Sequence, residues 1–387
     1  MMKIVAYSAL ALACLVSFSC SSSGSDSPDP DAPEEIVFTT VGSSFAPLIE
    51  VADGATIRWT WADGTTSAEA NPSKDYDHPG VRKNRLLVTP WSALKTIDIG
   101  YDGGDGGALS LDTYRNADQH VSEVENLDLA RDGLVVWCSS YNNIPRLDFS
   151  GFRKLETIEC FYSNALYRVN LDDTPALKRA CFEDCDLIFL DLTGCPNLED
   201  LRGAVNDYPT IVFGPSYPRL WHICVRDNGS VLTDRDLFAT TTAFPAIREL
   251  FIWNDNQAGT LRVPATGAGR VEIAADGNGY TSADLTGALA DETETGVVSL
   301  RDNRLASVNL AGCDQISTLN LGNNELPQDE VDSILDTLDG FGRPTASDGG
   351  ISFAVDLSGD GNAAPSAEGL IHVASLRTKG WTVTVRE

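Results

Sequence analysis

The amino-acid sequence predicts a right-handed, strand-rich solenoid of about 21-residue rungs with short convex elements, preceded by a small β-sandwich-like segment. Two observations predict it. Leu134, Leu155, Leu177, Leu198 and Leu220 are separated by 21, 22, 21 and 22 residues. A second apolar series with the same step runs between them, so each repeat carries two extended segments and leaves no room for a long helix. A chain of 387 residues, 42% of them hydrophobic, fits either two or three compact units or one long array, and the period selects the array.

The chain opens with a lone Lys3 and an apolar run from Ile4 to Phe18, too short to span a bilayer and ending in small residues, as a signal peptide does. Ser17-Phe18-Ser19-Cys20 resembles a bacterial lipobox, in which the cysteine is acylated and becomes the new N-terminus. Ala11-Leu12-Ala13-Cys14 is a rival site, and an ordinary secretory signal is the alternative. The resemblance implies a lipoprotein signal peptide over residues 1–19 and lipidation at Cys20. Residues 20–35, rich in Ser, Gly, Asp, Pro and Glu, cannot repay their ordering entropy and read as a disordered tether. Acidic residues soon after the cysteine resemble the export tags of surface-exposed lipoproteins, which implies an outer-membrane protein of the cell envelope that touches the membrane only through its anchor.

Residues 36–90 do not repeat. The alternation in "TIRWTW" predicts a strand and Asp63-Gly64 a hairpin turn. Trp59, Trp61, Asp63, Gly64, Thr65, Tyr76, Pro79 and Gly80 resemble the W-x-F-G-D-G-T…Y-x-x-P-G signature of PKD-type immunoglobulin-like domains, with Ala62 in place of the usual glycine. The resemblance implies a β-sandwich-like segment.

The array is expected over residues 91–326. Counting from each leading leucine, apolar residues stand at offsets 3 and 5, and offset 8 carries Asn142, Ser163, Cys185, Asn206 and Asn228. The pattern closes with Ile316/Leu319/Leu321/Asn324/Leu326. It resembles the leucine-rich-repeat consensus L-x-x-L-x-L-x-x-N/C-x-L, of the slim internalin-like kind. Alternate strand residues face inward, and a small polar residue satisfies backbone groups where the chain turns away. The second series includes Ile144/Leu147/Phe149, Leu166/Val169/Leu171, Leu187/Leu190/Leu192, Tyr208/Ile211/Phe213 and Leu305/Val308/Leu310, with Val124/Leu127/Leu129 as its first member.

Two insertions break the period. A short helix is predicted within 232–242 and a better one over 327–341, with Pro at its start and Gly near its end. Residues 327–387 then read as a helix-strand cap: a strand at "FAVDL", a helix near 367–379 and a last strand "WTVTV".

The net charge of -28 excludes a nucleic-acid ligand over most of the surface. Outward strand positions line the concave face in leucine-rich repeats, so the resemblance implies that a protein or glycan partner binds there. Tyr141, Phe161, Tyr162, Arg179, Arg202, Trp221, His222, Arg226, Phe251 and Trp253 are the candidate contacts, aromatics set among charges.

Among the cysteines, Cys160, Cys185, Cys195 and Cys313 occupy inward columns and read as small buried thiols. Cys138, Cys181 and Cys224 share offset 4, an outward column, 43 residues apart. Two rungs separate them, roughly 10 Å, too far for a disulfide, which leaves free thiols on the surface. His222 beside Cys224 suggests zinc or, with Asp200, a cysteine nucleophile. Four histidines and no close C-x-x-C pair argue against the metal, and about 7 Å between alternate strand residues argues against a dyad. Asp356-Leu-Ser-Gly-Asp-Gly begins like a calcium loop but has Ala367 where the twelfth-place acid belongs, so it reads as a rung ending in a polar turn. The glycine-rich stretch from Gly100 lacks a phosphate-binding lysine, and Asp128, Asp148 and Asp191 read as a solvated acidic stripe.

The expectation is therefore a lipid-anchored recognition protein of the cell surface, with no catalytic residues, no metal and no cofactor. An accessory carbohydrate-binding component of a glycan-uptake system and a purely structural envelope protein are the alternatives.

Overall fold

The computed structural model describes residues 34–100, 120–207, 211–228, 244–263, 272–288, 296–342 and 352–387, with Glu34–Glu387 forming one unit. The expected signal peptide, Cys20, most of the tether, the glycine-rich stretch beyond Gly100, Tyr208 and the 232–242 helix lie outside the described residues.

Seven strands open the fold: β1 (Ile36–Phe45), β2 (Leu48–Val51), β3 (Thr56–Thr60), β4 (Thr66–Ser67), β5 (Lys74–Thr89), β6 (Leu94–Asp98) and β7 (His120–Glu125). Five of them make an antiparallel sheet in the order β4-β3-β5-β1-β7. The alternation that predicts β3 puts Trp59 and Trp61 on one face, stacked at 5.4 Å and packed with Phe38 and Phe45. The Asp63-Gly64 turn is present, with Gly64 left-handed at φ 81° and the Asp63 carboxylate accepting from the Thr65 amide and hydroxyl. Val124 does not enter the second ladder. It belongs to β7, which satisfies the free edge of β1, while Leu127 and Leu129 lie on a 3₁₀ turn over Leu127–Ala130.

The rest is a strand-rich solenoid. Its rungs are β8 (Val136–Cys138), β9 (Arg146–Asp148), β10 (Thr157–Glu159), β11 (Arg168–Asn170), β12 (Arg179–Cys181), β13 (Leu190–Asp191), β14 (Asp200–Arg202), β15 (Ile211–Val212) and β16 (His222–Cys224). They continue with β17 (Glu249–Phe251), β18 (Ala258–Arg262), β19 (Glu272–Ala274), β20 (Gly279–Asp284), β21 (Gly296–Ser299), β22 (Ser307–Asn309) and β23 (Ile316–Asn320). Helix α1 (Gln328–Gly340), β24 (Ala354–Leu357), α2 (Ala367–Lys379) and β25 (Thr382–Val385) end the chain. One sheet of thirteen strands runs the whole length, in the order β2-β6-β8-β10-β12-β14-β16-β17-β19-β21-β23-β24-β25. Every pair from β6 onward is parallel, as successive turns of a coil require, and antiparallel β2 covers the first edge. The offset-3 residues lie in register and buried, among them Trp137, Ile158, Ala180, Leu201, Ile223 and Leu250.

Each rung leaves the sheet through one repeated device. The residue at offset 7 is left-handed: Tyr141, Tyr162, Asp184, Val205, Asp227, Asn254, Asp302 and Asn323 have φ between 54° and 61°. At offset 8 the side chain turns inward and feeds backbone groups. The Asn206 amide donates to the carbonyls of Phe182, Gly203 and Ala204, while its oxygen accepts from the Leu187 amide. Ser163 and Cys185 make shorter versions, donating to Ser139 O and Cys160 O. Asn362 ends the column, which is why "DLSGDGN" is a rung terminus: its amide donates to Leu321, Leu357 and Ser358 carbonyls.

The opposite face is broken into three short parallel sheets, β9-β11, β13-β15 and β18-β20-β22. Two of the three aspartates read as a solvated stripe have structural work here. Asp148 and Asp191 accept from the amides two residues on, as do Asn170, Asp284 and Asn309, so an Asx turn closes each of these half-rungs.

The last two crossovers are helices. In α1, Val331, Ile334, Leu335 and Leu338 form the buried stripe, with Asp329 and Glu330 in the first turn. Ser366 caps α2 by accepting from Glu368 N and Gly369 N, and Gly380 ends it at φ 104°.

Candidate functional site

Three outward columns cross the thirteen-stranded sheet. The first runs Thr157, Arg179, Asp200, His222 and Glu249, and the second Cys138, Glu159, Cys181, Arg202, Cys224 and Phe251. The third, at offset 6, includes Phe161, Arg226 and Trp253. Rung spacing brings unlike side chains into contact, and Asp200 sits at their junction. Its carboxylate lies 2.6 Å from Arg179 Nη1, 3.2 Å from Arg202 Nε and 3.0 Å from His222 Nδ1. Arg179 also reaches back to Glu159, Nε to Oε1 at 3.0 Å. The His222 contact has the spacing of an ion pair but the ring is turned out of hydrogen-bond alignment, so the attraction there is electrostatic.

Burial and charge compete at Asp200. Its side chain is only 7% exposed, and desolvation alone would raise its pKa; His222, Arg202 and Arg179 together outweigh this and hold it below the usual carboxylate range. The attraction is reciprocal at Arg202, where burial acts against the charge and Asp200 raises the pKa. Such a network orders its members for about as much free energy as it costs to desolvate them.

The alternating column explains the thiols. Cys138, Cys181 and Cys224 are buried rather than surface thiols, because the longer Glu159 and Arg202 on the intervening rungs cover a short side chain. Burial pushes Cys181 up to about 12 and Cys224 to about 11, and all seven described cysteines are buried. Cys224 carries no nucleophile's environment. Among the described residues no three His, Cys, Asp or Glu side chains gather as metal ligands.

Two aromatic groups flank the ion-pair centre. On one side Tyr141 and Tyr162 stack at 4.9 Å with an interplanar angle of 21°, and Phe161 meets Tyr141 edge-on at 5.7 Å. Both tyrosines occupy the left-handed offset-7 position that the other rungs fill mostly with Asp or Asn and once with Val205, at a backbone cost of about 1 kcal/mol each. On the other side His222 packs between Trp221 at 5.3 Å and Phe251 at 5.7 Å, and Phe251 meets Trp253 at 5.7 Å. The Arg226 guanidinium lies over Trp253, 5.1 Å from the ring centre, while also holding Asp227 at 2.6 Å.

The ten predicted contacts therefore fall on one sheet face but differ in access. Tyr162 and Trp221 are exposed, His222 is buried, and the other seven are half-buried. Sequence reasoning weighed Asp200 only beside a cysteine nucleophile and did not single out Glu159 and Asp200 as buried anchors; the available signal was a carboxylate one repeat from Arg179, in its own column for Asp200 and in the adjoining one for Glu159. No protein-family model and no curated protein matches this chain.

Proposed function

We propose that this is a leucine-rich-repeat recognition protein of the cell surface, lipid-anchored at Cys20, with a PKD-like sandwich segment before the array, and that it takes a protein or glycan partner on the thirteen-stranded face. The arrangement of that face carries the reading. Aromatic rings half-exposed or exposed on either side of a buried, fully charged centre supply contact area at low entropic cost, and the ion pairs fix their spacing. Tyr141 and Tyr162 support it further, since their stacked rings form one aromatic surface on that face. No helix among the described residues is long and apolar enough to cross a membrane.

The test is binding by the purified chain to a glycan array and to cell-surface proteins, compared with Tyr162→Ala and Trp221→Ala. Both rings are exposed, so folding should be unaffected. Each truncation is expected to weaken the interaction by about tenfold, equivalent to about 1.4 kcal/mol. Binding that is indifferent to both variants sinks this face as the site. Protease shaving of intact cells, with mass spectrometry of the mature N-terminus, tests the anchor: release without an acylated Cys20 removes it.

A further inference from the structure

The second ladder carries a polar cleft of about 600 Å³ between the 3₁₀ turn and strands β9 and β11. We propose that this cleft is a second binding site, independent of the thirteen-stranded face, and that it takes an acidic oligosaccharide: the carboxylate of a uronic-acid unit held by Arg146 and Arg168.

Four observations lead there. First, Arg146 and Arg168 are register partners on parallel strands, so two cations stand directly opposite each other, about 4.8 Å apart along the ladder. Like charges so placed are destabilising. Both are exposed, and neither has an ion-pair partner among the described residues, although the chain carries a net charge of -28. A protein this acidic has ample carboxylates to neutralise them and does not do so.

Second, a third guanidinium is directed to the same cleft. Arg131 lines it and packs beside Gly151. Its nearest carboxylate, Asp128, is 4.0 Å away, the limit of an ion pair. Asp128 and Asp148 also line the cleft, so three cations face two anions and one charge is left for a ligand.

Third, neutral hydrogen-bonding groups remain. Asn170 uses its side-chain oxygen on the Asp172 amide and leaves its amide nitrogen available, and the Ser150 hydroxyl is likewise uncommitted. These suit sugar hydroxyls. Fourth, the column continues past the arginines onto Phe189. The Ile188 amide donates to Tyr167 O one rung along, just as the Tyr167 amide donates to Pro145 O, so Phe189 follows Arg146 and Arg168 in line. It is 45% exposed. An aromatic ring one rung beyond a guanidinium pair offers a stacking surface to the neighbouring sugar of a chain. An acidic peptide would use the arginines and leave the ring without a reason, which is why the sugar is favoured.

The experiment is calorimetric titration of the full chain with trigalacturonic acid, maltotriose and a poly-glutamate peptide, at low and high ionic strength. Saturable binding of trigalacturonate, absent for maltotriose and weakened by salt, is expected. The Arg146→Gln/Arg168→Gln pair should lose at least about tenfold in affinity, as befits charge-assisted bonds, while its melting temperature stays level or rises because the in-register repulsion is gone. Should that variant fold poorly, Phe189→Ala removes only an exposed ring and should weaken binding several-fold. No binding of trigalacturonate, or binding that survives these substitutions, overturns the proposal. Loss with Trp221→Ala instead would move the ligand to the thirteen-stranded face, and preference for poly-glutamate would replace the sugar by an acidic peptide; either outcome ends it.

Discussion

The two faces of the solenoid are made by the same repeat, yet one is a continuous sheet of thirteen strands and the other is broken into sheets of two or three. On the continuous face charged groups are buried or half-buried and paired with one another, with Asp200 reached by two arginines and lying 3.0 Å from His222. On the broken face arginines stand opposite each other in solvent, and exposed Tyr167, Ile188 and Phe189 interrupt the polar surface. The difference teaches where this coil keeps its stability. Unbroken register lets side chains on neighbouring rungs specialise for one another, whereas short strands closed by Asx turns need only an inward apolar residue and leave the rest of the surface free to vary.

The strongest way to break the comparison is Asp200→Ala. Removing the shared anion takes from half-buried Arg179 and Arg202 the carboxylate that joins them and leaves Arg179 with Glu159 alone, and a loss of about 3–5 kcal/mol is expected in urea unfolding. A loss below about 1 kcal/mol would mean that the network is solvated and that the two faces do not differ in kind.

A smaller effect, dependent on pH, is expected at Asp255, the one carboxylate in the asparagine column. Its Oδ1 accepts from the Asn228 amide as the asparagines do, but its buried Oδ2 has no partner and stands where they carry an amide nitrogen. Burial raises its pKa to about 8. The native state therefore holds a proton that the unfolded chain gives up near pH 4, so this site's contribution is complete below about pH 4 and is lost as pH rises to about 8. Asp255→Asn should be close to neutral at pH 4 and stabilising by a few kcal/mol at pH 9. Parallel stability-pH curves for the two proteins would refute this.

The same contrast is sharpened by a pair of substitutions, one on each ladder. Asn206→Ala strips donors from three buried carbonyls and should cost about 2–3 kcal/mol. Asp191→Ala removes bonds to the Thr193 amide and hydroxyl at an exposed turn, and should cost about 1 kcal/mol or less. Equal losses would show that the second ladder is as tightly held as the first.

Much of this was legible in the sequence. Leucines 21 or 22 residues apart announced the rungs, the offset-8 asparagines announced the turns, and Pro327 announced the first C-terminal helix, because each follows from a local spacing or cap. The candidate contacts fell on one face for the same reason. Their accessibility was not legible: Trp221 and His222 are neighbours in the chain, yet one is exposed and the other buried, since lateral neighbours a repeat away decide it. Val124 was drawn out of the ladder by the free edge of β1, a partner some 80 residues distant. Recurrent aspartates looked like a solvated stripe because an Asx turn has a local signature, Asp-Leu-Thr at 191–193 or 284–286, whose meaning shows only when the half-rung ends there.

What the sequence determined by itself is the period, and with it the coil, because inward apolar residues at a fixed step can be buried only by stacking successive turns. What the tertiary structure decided is which outward residues touch: Asp200 with arginines of both columns, Cys181 beneath its longer neighbours, Arg146 beside Arg168. Apart from Asp200 with Arg202, which share a strand, those contacts join residues about a full repeat apart, and their geometry is set by the register between strands, which no local spacing contains.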